Sequence, residues 1–335
     1  MADPGVPLDP DRRSRLYGVK LAALARDHLG IEDGDAAPFP GGAALRMDRT
    51  GVVLVEEDSG RGVGRALAWG RRHDVDVLHV LVTADAGVLA RRAGAFAVAP
   101  SVWWVDGREL HRAEPDPFVA APPAMADTGL VAQLTAAGAA VVTEHGATVG
   151  EVFGLEVARI IGDGPAARIE VGVGPHDREA FALVHGHRPT AAALADVIGS
   201  VRHHRAVAVA DHPLRRLAPE RWLRDVIVAR PDLAGAATLA RHQGPAPRPD
   251  LKDPWPAVAA GTGADGAPVV VVCSVGVDLD LVPFAADARL AVDPTARLVL
   301  VVPERDALPI VVELAASLTA PADLRTVPTN WRALG

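Results

Sequence analysis

GVVLVEEDSGRGVGRALAWGRRHDVDVLHVLV, residues 51–82, decides the fold class. Val52 to Val55 is a short β-branched run of the kind a buried strand needs. A glycine-rich turn follows, then apolar residues at helical spacing from Val63 to Arg72, then a second strand-like run from Val75 to Val82. The same alternation continues outward, with a helix expected over Gly87 to Phe96 and a strand over Val102 to Val105. Strand, helix, strand, helix, strand is the order of a parallel sheet with crossover helices.

Near the C-terminus the order recurs. Val269 to Cys273, Leu298 to Val302 and Leu324 to Val327 read as strands, and Leu279 to Ala291 and Ala307 to Leu318 as helices. At the N-terminus, residues 1–12 read as a loose tail before a helix from Leu16 to Leu29 that Gly30 ends.

Between these runs the texture changes. Pro115, Pro117, Pro122 and Pro123 break any regular element, so residues 113–127 read as a linker. Helices are expected over Thr128 to Ala137, Asp177 to Val184, Ala191 to His204 and Pro219 to Ala229. Val149 to Ile161 reads as one strand, bent or straight, and Arg168 to Val173 as a second strand across a glycine turn. Ala206 to Ala210 is a short apolar run, and Pro and Gly make 243–268 a surface connection. The expected class is therefore α/β, with βαβαβ units at both ends and a middle α+β hairpin unit. The expected boundaries are 1–112, a linker at 113–127, 128–242, a loop or linker at 243–268, and 269–335, the last available to pack with the first.

The totals bound the function. In 335 residues, 49% apolar and 23% charged is the balance of a folded chain, and 4% aromatic leaves the core to Val, Ala and Leu. All 34 basic residues but Lys20 and Lys252 are arginine, which fits a GC-rich bacterial genome. A net charge of −8 argues against a surface coated for nucleic acid and leaves only a local arginine patch. Cys273 is the single cysteine, which excludes an internal disulfide and a cysteine zinc cluster and fits a reducing, cytoplasmic setting. No apolar stretch approaches the length of a membrane span, and the start lacks a signal-peptide pattern.

The chemistry concentrates in Glu151-Val-Phe-Gly-Leu-Glu156-Val-Ala-Arg-Ile160 and Arg168-Ile-Glu170-Val-Gly-Val-Gly174, followed by His176-Asp177-Arg178. Alternation puts Gly154, Glu156, Ala158 and Ile160 on one face, and Arg168, Glu170, Gly172 and Gly174 on one face of the next strand. With Ile160 paired to Arg168, Glu156 falls opposite Gly172 and Glu170 opposite Ala158, diagonal neighbours ~7–8 Å apart at the backbone. Two carboxylates over small residues suit Mg²⁺, with Asp177 assisting, because a hard cation prefers oxygen. Arg168 or Arg159 neutralising them as ordinary ion pairs is the alternative.

The order helix, hairpin, helix, strand over residues 128–210 resembles the core of restriction-endonuclease-like proteins. There an acid on one strand and Glu-x-Lys on the next bind Mg²⁺ for phosphodiester cleavage. The resemblance implies that Glu156 takes the place of the first acid and Glu170 of the second, while Gly172 stands where the lysine would be and Arg168 or Arg178 would substitute. The whole chain also resembles conserved proteins of GC-rich bacteria that carry no assigned activity.

Other groups are weaker. Glu56-Glu57-Asp58-Ser59-Gly60-Arg61-Gly62-Val63-Gly64 follows a strand and opens a helix, but its glycines do not follow a nucleotide-loop spacing. Asp278, Asp280 and Asp287 follow a C-terminal strand and suit helix capping or Mg²⁺. Arg215, Arg216, Arg221 and Arg224 cluster around Trp222, so that a helix with Trp222, Leu223 and Val226 inward presents guanidiniums outward to nucleic acid or an acidic protein surface. His73, His79, His111, His185, His187, His203 and His204 have no metal-motif context, and Ser59 and Ser274 no hydrolase setting. Two functions from different classes follow: a metal-dependent phosphodiester hydrolase or its degenerate relative, and a noncatalytic binding or assembly protein built on the arginine helix.

Overall fold

In a computed structural model the described residues are 9–32, 34–119, 126–185, 189–206 and 212–335. The chain begins with helix α1 (Pro10–Leu29), the hairpin β1 (Asp35–Phe39) and β2 (Gly42–Met47), then β3 (Thr50–Val55). Helix α2 (Val63–Arg72), β4 (Val77–Val82), α3 (Ala86–Ala93), β5 (Ser101–Asp106) and β6 (Glu109–Arg112) follow. The six strands form one sheet in chain order; β3, β4 and β5 are parallel and the remaining pairs antiparallel. Residues 52–55 are fully buried because β3 is covered on both faces, which is why it reads as an unbroken apolar run. Val52 and Leu54 pack against Leu21, Leu24 and Ala25 of α1. The β1–β2 hairpin carries no such run, and its Pro38 sits in the edge strand, where a missing N–H is tolerated.

The middle of the chain holds α4 (Thr128–Ala136), β7 (Ala140–Glu144), β8 (Ala147–Val152), β9 (Leu155–Ile161), β10 (Arg168–Val171), α5 (Gly174–His185) and α6 (Thr190–Arg205). Its four strands form an antiparallel meander in the order β10-β9-β8-β7. The expected single strand over 149–161 is thus two strands, folded at Phe153-Gly154, where both residues take positive φ (48° and 72°). Gly154 is also required by contact, since a Cβ there would come within 2.2 Å of the Arg221 backbone. One face of this sheet is apolar: Leu155, Val157, Ala158, Ile169 and Val171 meet Leu134 of α4 and Ala193, Leu194, Ile198 and Val201 of α6.

The last part holds α7 (Pro219–Ala229), β11 (Thr238–His242), β12 (Ala257–Thr262), β13 (Pro268–Cys273), α8 (Leu281–Val292), β14 (Arg297–Pro303), α9 (Pro309–Ala316) and β15 (Asp323–Val327). The five strands run in chain order, with β13, β14 and β15 parallel. Both terminal βαβαβ runs are present, in separate sheets, each preceded by a helix and two antiparallel strands. The stretch 243–268 includes a strand, β12, which pairs with both β11 and β13. Trp222, Leu223, Val226 and Ile227 of α7 pack on Ala259, Val269, Val271 and Val299 of this sheet, and Trp331 closes the cluster.

Two compact units emerge from the contacts. One comprises Met1–Phe118 with Leu279–Asp287 and Pro309–Pro321; the other comprises Val119–Asp278, Ala288–Leu308 and Ala322–Gly335 and contains both the meander and the C-terminal sheet. No helix among the described residues is long and apolar enough to cross a membrane. The expected elements at Pro122, Pro123, His187 and most of Ala206 to Ala210 fall outside the described residues.

Candidate functional site

The pairing of β9 and β10 differs from the expected one by a residue. Ile160 faces Ile169, Arg168 faces Ile161, and Glu170 faces Arg159 instead of Ala158. Apolar burial fixes this register, because it aligns Ile169 and Val171 with Ile160 and Ala158 on the core face. Gly172 does not lie opposite Glu156; its N–H donates to the Val157 carbonyl at 2.9 Å. A Cβ at Gly172 would lie 2.8 Å from the backbone nitrogen of Arg178, so the position expected for a lysine has no room for any side chain.

A bulge changes the neighbours of Glu156. On β8, Gly150 faces Ala158 and Glu151 faces Glu156, which leaves Val157 unpaired. Val157 and Ala158 therefore both reach the core, and Glu156 emerges on the same face as Arg159 and Glu170. The carboxylates directly opposite one another are Glu151 and Glu156, 1% and 6% exposed. Like charges so placed repel, and each is neutralised by two guanidiniums.

Glu156 accepts from Nε and Nη2 of Arg159, both at 3.0 Å, and from Nη1 of Arg178 on α5 at 2.5 Å. Glu151 accepts from Arg221 at 2.9 Å and from Arg224 at 2.7 Å. The same two arginines hold Glu144, Arg224 at 2.6 Å and Arg221 by a shorter bond. Burial opposes ionisation of Glu144, yet the Arg224 and Arg221 guanidiniums keep its pKa below the ordinary value. The Glu156 hydrogen bond raises the Arg159 pKa further, with Glu170 adding a smaller Coulomb contribution.

The two carboxylates expected to hold Mg²⁺ each accept from arginine instead. Glu156 is saturated by Arg159 and Arg178, and Glu170 pairs with Arg168 at 3.1 Å. Asp177 caps the start of α5 by accepting from the Val173 N–H at 2.6 Å. No group of three or more His, Cys, Asp or Glu among the described residues is placed to hold a metal ion.

The outward arginine row is corrected as well. Arg221 is half-buried and Arg224 is 1% exposed, because α7 is covered by the meander on the side away from the C-terminal sheet. Arg215 donates to the Ala206 carbonyl at 2.7 Å and lies over the Trp222 ring, and Arg216 is exposed. Trp222 is a core residue against Phe153 and Trp331.

In the first unit the acidic loop is also structural. Glu56 pairs with Lys20 at 2.6 Å, and Glu57 with Arg13 at 2.7 Å and the Tyr17 hydroxyl at 3.1 Å, tying α1 to the end of β3. Asp280 accepts from the Gly64 N–H at 2.8 Å, and Asp287 from Arg91 at 2.6 Å and Arg92 at 3.1 Å.

What these contacts leave open is a cleft of about 500 Å³ over the polar face of the meander. Glu144, Ala147, Val149, Glu156 and Arg159 form its floor, and Gly174, Pro175, His176 and Arg178 of α5 one wall. The strap Pro247–Lys252 forms another, held by Arg248, which donates to the Asp250 carbonyl at 2.6 Å and to buried Glu220 at 3.2 Å. Five basic side chains (Arg159, Arg178, Arg221, Arg248, Lys252) line the cleft against three acidic ones. Burial holds the pKa of His145 below the ordinary imidazole value, against the opposing pull of Glu144. Glu151 and the strap were not singled out from the sequence; the only signal was an unbroken Val149 to Ile161 run, which hid the turn. No family model, curated protein or solved structure matches this chain.

Proposed function

We propose that this chain is a noncatalytic binding protein and that the cleft over the meander takes an anion. The carrying observation is the charge lattice beneath it: Arg159, Arg178, Arg221 and Arg224 form ion pairs with Glu144, Glu151 and Glu156, while the neighbouring Glu170 and Asp225 are paired with Arg168 and Arg241. Four guanidiniums to three carboxylates leave one positive charge in a partly desolvated setting, in a chain whose net charge is −8. A partly desolvated charge of this kind attracts a counterion, and a guanidinium offers planar donors suited to carboxylate or phosphate.

Binding is favoured over hydrolysis because the acids that would hold Mg²⁺ already accept from arginine, so a cation would have to displace a guanidinium. A small anion is favoured over a nucleic-acid backbone because Arg221 and Arg224, half of the expected row, are consumed internally. Thermal unfolding at fixed ionic strength tests this, with acetate, inorganic phosphate, pyrophosphate and a single-stranded thymidine oligomer as additives. Small anions raise the melting temperature of the wild type and not of Arg159→Gln. Equal responses from both proteins, or a response to Mg²⁺ that Glu156→Gln abolishes, overturn the reading.

A further inference from the structure

Resting on the anion-cleft reading, we infer that the ligand is an aliphatic monocarboxylate, its head on Arg159 and its chain along the strap. Three features of the cleft define that class.

The first is charge. The lattice under the floor carries one uncompensated positive charge. Of the remaining charges around the cleft, Arg248 pairs with Glu220 at 3.2 Å, and the Lys252 ammonium is offset in number by the Asp250 carboxylate of the same strap, which accepts from the Lys252 backbone N–H at 2.6 Å. One negative charge completes the balance. A phosphate monoester brings close to two at neutral pH, and a carboxylate brings one.

The second is donor geometry. Arg159 carries five N–H donors, of which Glu156 engages Nε and one on Nη2. The Nη1 edge is left for a ligand, on a side chain that is 37% exposed, whereas Arg178 and Arg224 are buried. A carboxylate can occupy that edge without displacing Glu156.

The third is the character of the walls. Ala147, Val149, Val173, Leu217, Leu251 and the strap prolines supply the apolar surface. None of the lining residues is Phe, Tyr or Trp; the aromatic surface is limited to the imidazoles of His145 and His176, and the strap side is lined by Pro247, Pro249 and Leu251. Leu251 is anchored by its own carbonyl, which accepts from the Ala218 N–H at 2.9 Å, so this apolar wall is set before a ligand arrives. A cleft of about 500 Å³ accommodates a medium-length aliphatic chain.

Calorimetric titration of the full chain with octanoate, acetate, octanol and octylamine tests the inference. Octanoate binds at least tenfold more tightly than acetate or octanol, and octylamine does not compete with it. Arg159→Gln weakens octanoate at least tenfold, and Leu251→Ser weakens octanoate while leaving acetate unchanged. Circular dichroism and the melting temperature of each variant establish that it is folded. If acetate and phosphate bind but octanoate gains nothing over acetate, this inference falls and the anion cleft stands. If no anion binds, both fall together.

Discussion

Arg224 of α7 donates to Glu151 of β8 at 2.7 Å, and both side chains are withdrawn from solvent. Each is buried by a different part of the fold, Arg224 on a helix packed to the C-terminal sheet and Glu151 on the meander, so the pair fastens one to the other. Breaking one side of a buried pair leaves an uncompensated charge, whereas replacing both restores balance. Arg224→Met alone therefore costs about 3–5 kcal/mol, and Arg224→Met with Glu151→Leu costs less than the single change. Urea denaturation of the two single variants and the double variant measures both terms; additive losses would contradict the coupling.

Arg205 stabilises the same junction without any carboxylate. It is fully buried, lies 4.8 Å over the Trp222 ring, and donates to the carbonyls of Leu214, Phe153 and Leu217. The Phe153 turn and the 214–217 stretch are thus both held to α6 by one planar fork. Arg205→Met leaves three carbonyls unpaired and costs about 3 kcal/mol or more, and Arg205→Lys recovers little of it because an ammonium cannot reproduce the fork. A Lys variant as stable as the wild type would show that charge alone is what matters there.

Two buried acids make opposite contributions to the pH dependence of folding. Glu144 titrates below its ordinary pKa, so its stabilisation is present above about pH 4.5 and is lost as pH falls through its folded pKa. Glu220 is raised, chiefly by burial, with Arg248 opposing. Its folded state holds the proton longer than its unfolded state, so stability falls as pH rises above the ordinary value of 4.5. In urea titrations across pH, the deficit of Glu144→Gln shrinks on acidification, and the stability of Glu220→Gln relative to wild type rises with pH. Parallel curves for the two variants would refute the assignment.

The parallel cores were legible because β3, β13 and β14 are covered on both faces and read as nearly unbroken valine and leucine runs. The meander was legible only in outline. Turns of this type usually announce themselves with Asn-Gly or Asp-Gly, and here Phe153 and His145 occupy the first positive-φ position. The bulge at Val157 leaves no local mark, although it decides which face Glu156 shares. The arginines of α7 were misdirected for a different reason. An amphipathic pattern reveals that one face is apolar, but not that the polar face meets buried carboxylates supplied about 70 residues earlier.

The turn that the sequence hid is also the point where α7 touches the meander, and two glycines separate the contributions. Gly146 and Gly154 each occupy the second position of a two-residue turn, with φ of 77° and 72°. An added Cβ at Gly146 meets nothing within 4 Å, whereas at Gly154 it meets the Arg221 backbone at 2.2 Å. Gly146→Ala therefore reports the strain of a left-handed alanine alone, about 1–2 kcal/mol. Gly154→Ala adds a clash that backbone cannot relieve by a rotamer change, and it must push α7 away from β8, stretching the bonds from Arg221 and Arg224 to Glu151. Its loss exceeds that of Gly146→Ala by about 2 kcal/mol or more in urea denaturation. Because the anion cleft draws its charge from the same lattice, octanoate affinity falls in Gly154→Ala and is retained in Gly146→Ala. Equal losses in both variants would mean that α7 is held by something other than this contact.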